Sequence, residues 1–122
     1  MKIKEKIEGD IAVLTISGNM MGGPETTALH DKVKSLIADG IKRVVIDLKG
    51  VKWINSSGLG TLMACMSSLK NAGGKLKLAS VTDKVQSVLM ITKLIQIFET
   101  YENAERAVAS FVEEERLGTA SE

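Results

Sequence analysis

The sequence predicts an α/β domain with a mostly parallel sheet, an antiparallel strand at its N-terminal side and about four helices. Three observations carry that expectation. Segments of strand and helix character alternate in the order β-β-α-β-α-β-α-β-α, the pattern of a sheet crossed by helices. The first two strand segments are separated only by Glu8-Gly9-Asp10, a length that closes a hairpin and sets them antiparallel. Residues 41–48 are almost continuous in aliphatics at their centre, as befits a strand covered on both faces.

Taken in order, Ile3, Glu5 and Ile7 alternate with lysines, and Ile11, Val13, Leu14 and Ile16 form the second strand. A loop, Gly18-Asn19-Met20-Met21-Gly22-Gly23, precedes Pro24 and Glu25, which suit a first helical turn. Leu29, Val33, Leu36 and Ile37 make one helical stripe that stops near Gly40. After the central strand, a helix is expected from about Ser57 to Asn71, stopped by Ala72-Gly73-Gly74. Residues 75–79 alternate Lys and Leu as a strand. Thr82 is placed to cap a short helix carrying Val85, Val88 and Leu89. A short strand around Ile97-Phe98-Glu99-Thr100 follows. Asn103 is placed to cap a last helix with the stripe Ala104, Ala107, Val108, Phe111 and Val112. One domain is expected over 1–115, with a disordered tail over 116–122.

Composition narrows the function. A formal net charge of +1 and 3% aromatics argue against a nucleic-acid binder, which needs clustered basic charge or stacking platforms. The single cysteine, Cys65, allows no internal disulfide and fits a reducing compartment. No apolar run approaches the ~20 residues of a membrane span, and no signal-peptide core follows the first residues. A soluble cytoplasmic protein is the expectation.

The chain is organised around Trp53-Ile54-Asn55-Ser56-Ser57-Gly58-Leu59-Gly60, a corner from strand into helix. A helix mouth presents unpaired N–H groups and partial positive charge, which suit a phosphate or carboxylate. At ~100° per residue, Leu59, Leu62, Met63, Cys65, Met66 and Leu69 share one arc of this helix. Gly60, Thr61, Ala64, Ser67, Ser68 and Asn71 share the other, a smooth uncharged face that a partner could approach closely, or that a loop or second copy covers. Sites in such sheets form beyond the carboxyl ends of strands, so the Asn19–Gly23 loop is expected beside the corner.

Enzyme chemistry fits poorly. The only histidine, His30, is one turn into a helix, and Ser-Ser-Gly-Leu-Gly is not the Gly-x-Ser-x-Gly elbow. No lysine follows Gly60 as a phosphate loop requires, and Met63 stands where a dinucleotide fingerprint needs its third glycine. One His and one Cys far apart offer no metal cluster, and no cofactor is expected. Asn55 or Ser56 can cap the helix, with Gly58 and Gly60 easing the turn. A phosphoryl group on Ser56 would add about −1.5 to −2 charge at pH 7, tolerated at the helix mouth and disruptive to a partner docked there.

The run Val44-Val45-Ile46-Asp47-Leu48-Lys49-Gly50-Val51, followed by Ile54-Asn55-Ser56-Ser57-Gly58-Leu59-Gly60, resembles the signature of the STAS domain. More narrowly it is similar to the free-standing anti-sigma factor antagonists of bacteria, over nearly the whole chain. The resemblance implies a transcription regulator rather than an enzyme. The unphosphorylated antagonist would bind an anti-sigma factor that is also a serine kinase, that kinase would phosphorylate Ser56 (neighbour Ser57), and a serine phosphatase would reset it. Partner contacts would fall on Asn55, Ser56, Ser57, Gly58, Gly60, Thr61, Ala64, Met20 and Met21. Two positions depart from the family pattern: Asn55 stands where Asp is usual, and Gly18-Asn19-Met20-Met21 lacks the Asp common in that loop. Both remove acid from the corner, which suits a second possibility: an unphosphorylated STAS scaffold or adaptor in a signalling complex or lipid-transport system.

Overall fold

The computed structural model describes the backbone of residues 1–121 and the side chains of residues 1–118. Five strands form one sheet in the order β1-β2-β3-β4-β5: β1 (Lys2–Glu8), β2 (Ile11–Ser17), β3 (Arg43–Gly50), β4 (Lys75–Ala79) and β5 (Glu99–Tyr101). β1 runs antiparallel to β2, with Glu8 opposite Ile11 across the Gly9-Asp10 turn. The other pairs are parallel, with Leu14 beside Ile46 and Ile46 beside Leu78. The helices are α1 (Gly23–Ala38), α2 (Ser56–Asn71), α3 (Asp83–Ile91) and α4 (Ala104–Ser121), with a 3₁₀ turn at Leu94–Gln96.

Strand alternation sends side chains to two faces, and the two faces are covered differently. Leu14, Ile16, Val44, Ile46, Leu48 and Leu78 meet α1, α2 and α3 through Leu29, Val33, Leu59, Leu62, Leu69, Val85 and Leu89. Cys65 lies in this core, where burial pushes its thiol up to about 12. Ile11, Val13, Val45 and Ala79 point the other way and are covered by α4 alone, through Ala107 and Phe111. β3 is therefore buried on both faces, as its sequence suggests, but it spans Arg43–Gly50 rather than 41–48. β1 is one of the two edge strands, with Lys2, Lys4 and Lys6 on the α4 side opposite Ser17, Thr15 and Val13.

Lys77, in the strand expected over 75–79, is fully buried. Its ammonium donates to Ser110 Oγ at 2.6 Å and to Glu114, lies 3.5 Å from Glu99, and sits 4.4 Å from the Phe111 ring centre and 5.1 Å from that of Tyr101. Lys75 bridges Glu99 (2.6 Å) and Glu114 (3.2 Å), and Arg43 reaches Glu115 (2.8 Å), so α4 is docked as much by charge as by apolar contact. Thr82 precedes α3 but makes no side-chain cap; its hydroxyl donates to Val51 O at 2.6 Å. Val112 is exposed rather than part of the α4 stripe. Residues 116–121, expected as a disordered tail, continue α4, and Arg116 pairs with Glu113 one turn back at 2.6 Å. Glu122 lies outside the described residues. Asn103 does cap α4, accepting from Arg106 N at 2.9 Å.

Candidate functional site

α2 begins at Ser56, and Asn55 is its cap residue, in extended conformation with φ −104 and ψ −176. Its Oδ1 accepts from Gly58 N at 2.9 Å, and its backbone carbonyl accepts from Leu59 N. The N–H groups of Ser56 and Ser57, the first two of the helix, have no intrahelical acceptor. Neither serine hydroxyl makes a hydrogen bond to another described residue, and both side chains are exposed.

The loop after β2 lies against this mouth, as the topology predicts. Met20 pairs with Ile54 as an isolated parallel bridge: Met20 N donates to Trp53 O at 3.1 Å and Asn55 N donates to Met20 O at 3.2 Å. Two asparagines reinforce the seam from opposite sides. Asn19 Oδ1 accepts from Trp53 N at 3.1 Å, and Asn55 Nδ2 donates to Met21 O at 2.8 Å. Two glycines let the segments touch. A Cβ on Gly58 would stand 2.3 Å from Met20 O, and one on Gly22, whose φ is +90, would stand 2.8 Å from Ser57 Cβ.

This packing sorts the residues picked out in the sequence. Ser56, Ser57, Gly60 and Met21 are exposed and Asn55 is half-buried. Met20 and Gly58 are buried and unavailable as direct contacts. A loop methionine reads as exposed in sequence, but the bridge to Ile54 turns Met20 into the core. Thr61 and Ala64 are half-buried. They lie between Ser57, which touches Gly22, and Ser68, whose Oγ is 2.8 Å from His30 Nε2 of α1. The small residues at 57, 61, 64 and 68 thus line the α1–α2 seam, and only part of the smooth face is open. The open stripe is Ser56, Gly60, Met63 and Ser67, at helical spacing.

Trp53 (43% exposed) and Met63 (37%) were not among the predicted contacts, yet with Met21 (50%) they border the serines. The helical wheel groups Met63 with the arc of Leu59 and Leu62, and the structure corrects this: seven residues after Ser56, Met63 returns to nearly the same angle and is exposed. No acidic residue stands in the first turn of α2 or in residues 18–24. Two cavities of about 440 and 460 Å³ lie elsewhere, one lined by Asp10, Arg43, Lys75 and Phe111, the other by Lys4, Val13, Asp47 and Glu105. The corner is a surface with a neutral, partly apolar rim and two free hydroxyls, suited to protein contact. Among the described residues no helix is long and apolar enough to cross a membrane, and no cluster of His, Cys, Asp or Glu could hold a metal.

A sheet of this order, an antiparallel first strand and a serine-bearing helix mouth after the central strand define a class. The chain belongs to the STAS domain family, whose profile matches residues 2–107. Its relatives carry a more specific name. A Bordetella bronchiseptica protein, BtrV, provisionally named an anti-sigma factor antagonist, is 26% identical over 107 residues, covering 88% of this chain and 90% of its own. The anti-sigma-B factor antagonist of Staphylococcus aureus is 24% identical over 100 residues, 82% of this chain and 83% of its own. Among solved structures, the Bacillus cell fate determinant SpoIIAA in its phosphorylated form superposes with a TM-score of 0.71 at 15% identity, covering 90% of this chain and 99% of its own. At that identity the likeness concerns the fold.

Proposed function

We propose that this protein is an anti-sigma factor antagonist, a non-enzymatic regulator that sequesters an anti-sigma factor acting also as a serine kinase. Phosphorylation of Ser56 switches it off, and a serine phosphatase restores it. The observation that carries the proposal is the pair of free hydroxyls at the α2 mouth, set in an exposed surface that includes Met21, Trp53 and Met63. The names borne by the relatives support the same role. Ser56 is favoured over Ser57 because Ser57 Cβ rests against Gly22, whereas Ser56 opens the exposed stripe of α2. A phosphoryl group there brings about −1.5 to −2 charge into the contact without disturbing the core. Burying that charge against a neutral rim costs several kcal/mol, and a loss of 1.4 kcal/mol already weakens binding about tenfold.

The absence of acid at the corner favours a second reading, a STAS adaptor that works unphosphorylated. Intact mass of the protein isolated from its native cells, before and after phosphatase treatment, separates the two. A phosphatase-sensitive phosphoryl mass on the Ser56 peptide is the expected result. An unmodified chain across growth and stress conditions would leave the adaptor.

A further inference from the structure

We infer that Asn55 is a positioning residue that latches the 19–22 loop to the serine-bearing helix mouth, and that it does so as an amide in a way a carboxylate cannot. This rests on the reading of the corner as the partner-contact surface.

The orientation of the Asn55 amide is forced by its neighbours. Its oxygen faces the Gly58 N–H at 2.9 Å and its nitrogen faces the Met21 carbonyl at 2.8 Å. Flipping the amide would set donor against donor and acceptor against acceptor. One side chain therefore serves two segments, capping α2 and holding Met21. An ionised carboxylate would keep the cap, since Asp and Asn cap equally well. It is acceptor-only, however, and would set an oxygen against the Met21 carbonyl. A serine at this position would also cap, but would offer the loop no amide donor.

Gly22, the next residue on, is tied to α1 by the Thr26 hydroxyl, which accepts from Gly22 N and donates to Gly22 O, whereas the bond to Asn55 is what ties Met21 to the corner. The loop's remaining ties to the corner are the Met20–Ile54 bridge, the Asn19–Trp53 bond and the close approaches at Gly58 and Gly22. All but the last act at or before Met20. The Asn55–Met21 bond thus holds the exposed Met21 beside the exposed serines, and the contact surface is ordered before a partner arrives. Preordering lowers the entropic cost of docking.

The test is amide hydrogen exchange, read by NMR on the full chain between pH 3.5 and 7, with Asn55→Asp and Asn55→Ser. The reporters are the N–H groups of Met20 and Trp53 at the seam and of Gly58 at the cap. At pH 7, Asn55→Asp should keep Gly58 protection and lower that of Met20 and Trp53 about tenfold, the effect of losing one hydrogen bond. As pH falls through the carboxyl's ordinary value near 3.9, a protonated carboxyl can donate to Met21 O, and seam protection should return relative to the unsubstituted chain at the same pH. Asn55→Ser should lose seam protection at every pH. Wild-type seam protection at pH 7 in both variants would overturn the latch, as would loss in Asn55→Asp that acid does not reverse. Neither measurement involves a kinase. An unphosphorylated protein in cells would therefore sink the proposed switch and leave this exchange pattern intact.

Discussion

Glu114→Gln tests whether α4 is held to the sheet by the buried Lys77 ammonium. Lys77 is fully buried while its main counter-charge, Glu114, has a side chain 42% exposed. The substitution keeps shape and removes charge, leaving the ammonium with Ser110, Glu99 at 3.5 Å and two aromatic rings. A hydrogen bond to a charged partner contributes about 1.5–3 kcal/mol. Solvent screening at the half-exposed carboxylate moves the expectation to the lower part of that range, about 1.5–2 kcal/mol. For a domain of this length that is a fall in Tm of roughly 5–10 °C. Lys77→Met should behave differently. Methionine fills the same slot against Phe111 and Tyr101, and Glu99 and Glu114 can turn into water, so the loss should stay within about 1 kcal/mol. The double substitution should be no worse than Lys77→Met alone, because the second change then has no ammonium to strand. Urea and thermal unfolding followed by circular dichroism at pH 7 and low salt give all four corners of the cycle. A neutral Glu114→Gln would refute the charge-docking account.

Acid should loosen the same helix. Burial works to raise the Glu99 and Glu114 carboxyls, but hydrogen bonds from Lys75 and Tyr101 to Glu99, and from Lys77 and Lys75 to Glu114, outweigh it and hold both below their ordinary value of 4.5. Carboxyls depressed in the fold add stability that is present above 4.5 and lost as pH falls through their lower folded values. Tm should therefore hold from pH 7 to 5 and drop below about 4.5, and Lys77→Met should blunt the drop; an equal drop in that variant would count against it. Two glycines of α2 should respond oppositely to alanine. Gly58→Ala meets Met20 O at 2.3 Å and Ile54 Cγ1 at 2.7 Å, so overpacking should outweigh the helical gain by about 1–2 kcal/mol. Gly60→Ala meets nothing within 4 Å and should stabilise by up to about 1 kcal/mol. Denaturant midpoints decide it, and equal shifts would sink the packing argument.

The legible parts of this fold are those written in local chemistry. The Glu8-Gly9-Asp10 turn, the aliphatic centre of β3 and the stripe of α1 each imply their element without help from distant residues. The meeting of the 19–23 loop with the corner was also legible, because topology places the ends of neighbouring parallel strands together. What escaped depends on partners far away in sequence. The burial of Lys77 depends on Ser110 and Glu114, more than thirty positions on, which close over it. Met20 reads as a surface contact until its carbonyl meets Asn55 N and Gly58. The small residues of α2 read as one smooth docking face, whereas α1 claims the side at 61, 64 and 68 and leaves the Ser56–Met63 stripe open. The end of α4 looks unpatterned because the Arg116–Glu113 charge pair, one turn apart, leaves no apolar period.

The outer edge of β1 bears on colloidal behaviour. Its unpaired backbone groups could template another strand, and the molecule's sheet could then grow into a filament. Self-pairing antiparallel about Glu5 would set Glu5 against Glu5 and Lys4 against Lys6. Sliding by two residues either way sets Lys4 against Lys4 or Lys6 against Lys6. Stacking parallel and in register puts every like charge together. Directly opposed like charges destabilise a strand pair, so each of these ways of extending the sheet with copies of itself carries its own repulsion.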